Sequence, residues 1–169
     1  MKFKKMFKWY LIASLVSTTL YFAFKSSGEE AIRAKFDELV IIIDQPQAEG
    51  MIDKAVQMLT FKTLFAGEVE FIAEDFPLSS TQSNKDLMQL FYLAKRHSKG
   101  MKLVINGLDF KSLEEDSALV TADLTTYAEP RGRPVFNKRK SVDCYFKIEK
   151  DQWCFYKFVE NSSEDIAPQ

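Results

Sequence analysis

Residues that bear chemistry are scarce in this chain of 169 residues, which has one histidine and two cysteines. A zinc site draws three or four ligands from Cys, His and carboxylates at set spacings, and His97, Cys144 and Cys154 form no such set. Glycine is thin as well, with six residues, and neither a glycine-rich phosphate loop nor a nucleophile elbow occurs. Positive charge is missing where nucleic acid would need it. Residues 29–169 carry 18 basic and 24 acidic side chains, net −6, so there is no electrostatic footprint for a polyanion. Internal repeats and low-complexity tracts are absent, and nothing implies a cofactor.

Long apolar runs are missing too, except one. Residues 1–8 carry Lys2, Lys4, Lys5 and Lys8; Trp9 to Phe24 follow without a charge, and Lys25 closes the run. Sixteen helical residues reach about 24 Å, against a hydrocarbon core about 30 Å thick. Lys8 and Lys25 can shorten the gap by snorkelling, and Trp9, Tyr10 and Tyr21 suit the two interfaces. The lysine excess at the start predicts a single-pass anchor over 9–24 with the N-terminus cytoplasmic and the rest extracytoplasmic. A cleaved secretory signal is the competing reading. Its best small-x-small site, Ser26-Ser27-Gly28, follows Phe24-Lys25 and is poor; cleavage would leave the domain secreted or periplasmic.

Residues 25–30 read as a polar linker, 31–160 as one domain, and 161–169 as an acidic, flexible tail. Within the domain, Ile32, Phe36, Leu39, Val40 and Ile43 recur at helical spacing over 29–44, and Gln45-Pro46 stops that helix. A second helix is expected over 51–66, ended by Gly67, with an apolar stripe wide enough for burial on more than one side. A short strand over 68–72 precedes a third helix, 85–98, capped by Ser83 or Asn84 and stopped by Gly100. The period then changes to two. Strands are expected over 102–113, 118–128, 135–149 and 152–160, with Lys150-Asp151 as a two-residue hairpin turn. The order α-α-β-α-β-β-β-β predicts an α+β domain, three helices packed on one face of a curved antiparallel sheet.

A regular ladder about that turn sets Cys144 opposite Lys157 and Cys154 opposite Lys147, so the two cysteines point to opposite faces and a disulfide is not expected.

ALVTADLTTY (118–127) and DQWCFYKFVE (151–160) carry a resemblance. With the element order, they are similar to the long central and closing strands of the nuclear-transport-factor-2-like superfamily, which includes ketosteroid isomerases and the SnoaL-like polyketide cyclases. The likeness spans about residues 29–160. It implies a conical cavity between sheet and helices and dimerisation through the sheet, yet no particular reaction, because the fold hosts enzymes and binding modules alike. Similar anchored domains serve as assembly components of envelope machinery, which implies a protein partner.

The apolar strand face nominates Val120, Leu124, Phe146, Trp153 and Phe155 as cavity lining, and a regular ladder leaves Lys157 as the one inward ionisable group. Acid–base chemistry needs a tuned group in reach of substrate. None is expected on that face, so the domain reads as a binding or interaction module for a protein partner or small apolar ligand rather than a catalyst. The alternative is a small isomerase, cyclase or hydratase with the faces exchanged, using Asp123, Tyr127, Asp143 and Tyr145 as an oxyanion donor and base. Arg131, Arg133, Lys138, Arg139 and Lys140 around one hairpin form a candidate anion patch, with a solvated loop as the plain reading. His97, in the basic end of the third helix, reads as a solvent-facing group that complements the helix dipole.

Overall fold

The computed structural model describes residues 28–44, 50–73 and 81–165. The anchor expected over 9–24 and most of the linker lie outside these residues. Among the described residues no helix is long and apolar enough to cross a membrane.

Helix α1 covers residues 28–44, beginning inside the stretch expected as linker. Of its expected apolar stripe, Ile32 and Phe36 are buried and Leu39, Val40 and Ile43 half-buried, while Ile42, outside that stripe, is buried as well. Helix α2 spans Met51–Leu64 and passes directly into strand β1, Phe65–Ile72. Gly67 therefore does not end α2; it lies within β1. The helix end is satisfied from elsewhere, since the Asn84 side-chain amide donates to the carbonyls of Lys62, Phe65 and Ala66 at 3.3, 2.7 and 3.3 Å. A side chain thus supplies the partner that a glycine turn would otherwise arrange. The broad stripe of α2 is buried on one side only: Phe61 and Leu64 enter the core while Val56, Met58 and Leu59 are exposed.

A strand not expected from the sequence, β2 (Thr81–Ser83), pairs antiparallel with β1. Ser83 then caps α3, Asn84–His97, its Oγ accepting from the Asp86 N–H at 3.1 Å. Strand β3 (Ser98–Leu113) starts at once, so Gly100 is a strand residue rather than a helix stop. β4 (Ser117–Pro130), β5 (Phe136–Glu149) and β6 (Gln152–Asp165) complete one sheet in the order β2-β1-β6-β5-β4-β3. β6 continues through Asp165, paired to Lys138, so residues 161–165 are strand rather than tail.

Among the described residues the fold is α+β, with three helices and a curved six-stranded sheet. That sheet is mixed rather than wholly antiparallel, because β1 runs parallel to β6. Parallel neighbours need a long connection, and here α3 and four strands, β2 to β5, intervene.

The Lys150-Asp151 turn is as expected. Both residues have positive φ (54° and 61°), and Glu149 pairs with Gln152, the geometry that matches strand twist in a two-residue hairpin. Beyond it the ladder is irregular. Phe146 pairs with Phe155, but Tyr145 pairs with Lys157, leaving Tyr156 as an extra residue in a β-bulge. The side chains from Lys157 to Glu160 therefore change face relative to a regular ladder, until a second irregularity between Ser141 and Val142. Phe158 enters the core, stacked on Phe71 and Phe155 at ring-centroid distances of 5.2 Å each. Cys144 lies opposite Phe158, not Lys157, and Val159 is opposite Asp143 on the outer face. Both cysteines are free and buried.

Candidate functional site

Two ends of the cone differ in how well they are filled. At one end Phe36 of α1 drops between the sheet residues Phe146 and Phe155, at centroid distances of 5.5 and 5.2 Å with edge-on geometry, a favourable aromatic arrangement. Val120, Ala122 and Cys144 close this region, all fully buried. At the other end the helices stand off the sheet and leave a cavity of about 680 Å³. Its wall is built from Leu39 and Ile43 of α1, Phe61 of α2 and the Leu87, Phe91 and Ala94 face of α3. Across from these stand Phe65 and Phe71 of β1, with Leu124, Val142 and Phe158 from the long strands.

Of the five residues expected to line a cavity, Leu124 does so. Val120, Phe146, Trp153 and Phe155 are solid core at the filled end, because Phe36 occupies the space that alternation alone leaves open.

Three polar side chains reach the cavity wall: Gln82, His97 and Glu160. None was expected there. Glu160 faces inward because of the β6 bulge, and no periodicity reports a bulge in advance. Its Oε1 accepts from Lys140 Nζ at 2.6 Å, and both side chains are mostly covered, 13% and 23% exposed. His97 had a readable signal: it continues the stripe Leu90, Ala94 at i+7, so it shares their face. It is exposed, at the rim, and its carbonyl accepts from the Arg131 N–H at 2.8 Å.

Lys157, expected inward, is outside. It pairs with Glu70 at 2.8 Å and lies over the Tyr145 ring; the hydrogen bond to Glu70 raises its pKa above the usual lysine value. The four residues of the enzyme alternative are likewise on the sheet face turned away from the helices. Asp123 is paired with Arg139, whose hydrogen bonding holds its carboxyl below the usual range. Asp143 accepts from Thr121 Oγ1 at 2.6 Å, Tyr145 meets Tyr156 edge-on, and Tyr127 is exposed. These residues share a face but line no cavity.

The five cations of the anion patch are divided by strand alternation. Arg131 and Arg133 are exposed at the hairpin, Arg139 is held by Asp123 on the outer face, and Lys140 is held by Glu160 on the inner one. Lys138 lies over the Phe136 ring. No single positive surface results.

Below the cavity rim Lys95 is buried, donating from Nζ to the Ile43 carbonyl at 2.7 Å and so closing the end of α1. Burial lowers its pKa, with nearby Asp44 acting in the opposite sense. Asp44 itself accepts from the Leu103 N–H at 2.9 Å, which ties α1 to β3. Among the described residues no group of three or more His, Cys, Asp or Glu side chains could hold a metal ion.

Solved structures share this architecture over nearly their whole length. A protein from Novosphingobium aromaticivorans provisionally called scytalone dehydratase superposes with TM-score 0.66 at 12% identity, over 88% of this chain and 93% of its own. The hexachlorocyclohexane dehydrochlorinase LinA-type3 of Novosphingobium barchaimii gives 0.64 at 12% identity, over 86% and 94%. A nuclear-transport-factor-2-like protein from Cytophaga hutchinsonii gives 0.58 at 11%, over 82% and 98%. The fold is nuclear-transport-factor-2-like. No protein-family model matches the sequence, and neither does any curated protein. At these identities the nuclear-transport-factor-2-like likeness speaks for the fold alone, and chemistry must be argued from this chain's own cavity.

Proposed function

We propose that this domain is a binding module that takes a small, largely apolar ligand in the open end of the cone, and that residues 9–24 hold it at a membrane on the extracytoplasmic side. The observation that carries the first part is the cavity: about 680 Å³, within the range of small-molecule sites, with a wall of aliphatic and aromatic side chains. Its inward carboxylate, Glu160, is already tied to Lys140. An apolar ligand entering such a space gains contact area without stripping water from an unpaired charge. The second part rests on the lysine-flanked run before Gly28.

A direct test uses the full chain in lipid nanodiscs and the neutral fluorophore N-phenyl-1-naphthylamine. Saturable binding is expected in the wild type and a loss of about tenfold or more in Ala94→Trp, which crowds the rim. Equal signal from both would end the ligand reading. For the anchor, the chain should stay with membranes through alkaline extraction, while a chain lacking residues 1–25 should not.

A second reading has one observation in its favour. Glu160 and His97 line the same cavity, and two of the solved structures above are named for elimination chemistry. A small cavity enzyme would then use these residues in place of the tyrosine–aspartate set on the outer face. Turnover abolished by both Glu160→Gln and His97→Ala, with probe binding retained, would favour it over simple binding.

A further inference from the structure

The Glu160–Lys140 pair is an odd feature for an apolar cavity. Lys140 pairs with Ser163 beside Leu124, and Glu160 sits opposite Val142; Leu124 and Val142 are both wall residues. The two charges therefore lie within the cavity row of the sheet, not at a solvent edge. Stability does not account for them, because a mostly desolvated ion pair contributes no more than a well-packed apolar pair of the same size. The backbone brings this about through irregularity: the Tyr156 bulge turns Glu160 inward, and a second break between Ser141 and Val142 sets it diagonal to Lys140.

Half of the carboxylate remains open. Oε1 takes the Lys140 ammonium at 2.6 Å, while Oε2 takes no hydrogen bond among the described residues and is not sealed from solvent, Asn137 Oδ1 being the one enclosed side-chain atom there without a partner. A paired carboxylate can only accept, so this oxygen can take a donor from a ligand in place of water. The other polar wall residues, Gln82 and His97, come from β2 and the end of α3.

We infer that Glu160 Oε2, steadied by Lys140, is the polar anchor of the cavity and selects ligands that present one neutral hydrogen-bond donor, an alcohol or phenol, on an otherwise apolar skeleton. The inference rests on the ligand-binding reading above and adds the ligand class. Lys140 balances the charge of Glu160, so a neutral donor is preferred to a free anion. The cavity's size fits a skeleton of two or three fused or linked rings.

Two compounds of matched shape test it: 1-naphthol, which donates, and 1-methylnaphthalene, which does not. Each is titrated against bound N-phenyl-1-naphthylamine on the full chain in nanodiscs, with Ala94→Trp as the blank. The wild type should prefer the naphthol by about tenfold, the effect of a hydrogen bond to a charged group. In the double variant Lys140→Met/Glu160→Leu, which removes both charges together, the preference should fall to about twofold or less with 1-methylnaphthalene affinity kept. Glu160→Gln, which keeps an acceptor without the charge, should fall between and covers the case in which the double variant does not fold. Equal affinities in the wild type, with both compounds lost in Ala94→Trp, overturn the inference and leave the ligand-binding reading standing. A naphthol preference that survives in Glu160→Gln and in the double variant overturns it as well. If neither compound displaces the probe from the wild type, the ligand-binding reading and the inference fall together.

Discussion

Deleting Tyr156 gives an outcome that depends on whether the bulge is real. In the observed register Tyr156 is the surplus residue between the pairs Phe146–Phe155 and Tyr145–Lys157. Its removal makes the ladder regular and keeps Lys157 outside and Phe158 inside. The losses are then local: the edge-on contact with Tyr145 and the Lys147 ammonium over the Tyr156 ring, together roughly 1–2 kcal/mol. For a domain of this size that is a fall of roughly 4–8 °C in Tm. A regular ladder predicts the reverse. In such a ladder the intact chain would hold Lys157 inside and Phe158 outside, so deletion would carry the lysine out to water and bury Phe158, a gain of about 1.5–3 kcal/mol from the ring alone. Thermal unfolding followed by near-UV circular dichroism separates the two, since Trp153 and the phenylalanine cluster report on packing. A cooperative melt a few degrees below wild type supports the bulge; a melt above the wild type refutes it. Deletion of Lys147, which lies where β5 and β6 pair without a surplus residue, should unfold the domain and serves as the contrast.

Other outcomes follow from particular contacts. Asn84→Leu should lower stability by about 1–2 kcal/mol in a urea titration, because three carbonyls at the end of α2 lose their shared donor. Cys144 should resist Ellman's reagent until the protein unfolds, since burial pushes its thiol pKa well up. The same shift makes stability fall as pH rises above the unfolded thiol's value near about 8.5, by at most about 1.4 kcal/mol per pH unit, and Cys144→Ala should flatten that slope. Asp123→Asn, Tyr127→Phe, Asp143→Asn and Tyr145→Phe should each leave probe affinity within about twofold, being on the far side of the sheet. A large change in any of them would mean that the outer face takes part in binding after all.

What the sequence determined by itself was local. The 3.6-residue period of Ile32, Phe36 and Leu39 and the two-residue period of Val120, Ala122 and Leu124 depend only on how side chains project from a helix or strand, and both put the expected residues in the interior. The Lys150-Asp151 turn and the Ser83 cap were legible for the same reason. Tertiary structure decided everything that required two segments to meet. The parallel pairing of β1 with β6, Asn84 at the end of α2 and Phe36 filling one end of the cone are contacts between residues far apart in the chain. So is the pairing across the Tyr156 bulge. One surplus residue there exchanged the faces of Lys157, Phe158 and Glu160, because side-chain direction in a strand has a period of two and any odd offset inverts it. The candidate site was therefore only partly visible: helical periodicity marked wall residues such as Leu39, Leu87 and Phe91, but of the five sheet residues expected to line it Leu124 alone does, and its polar anchor existed only once β5 and β6 had paired.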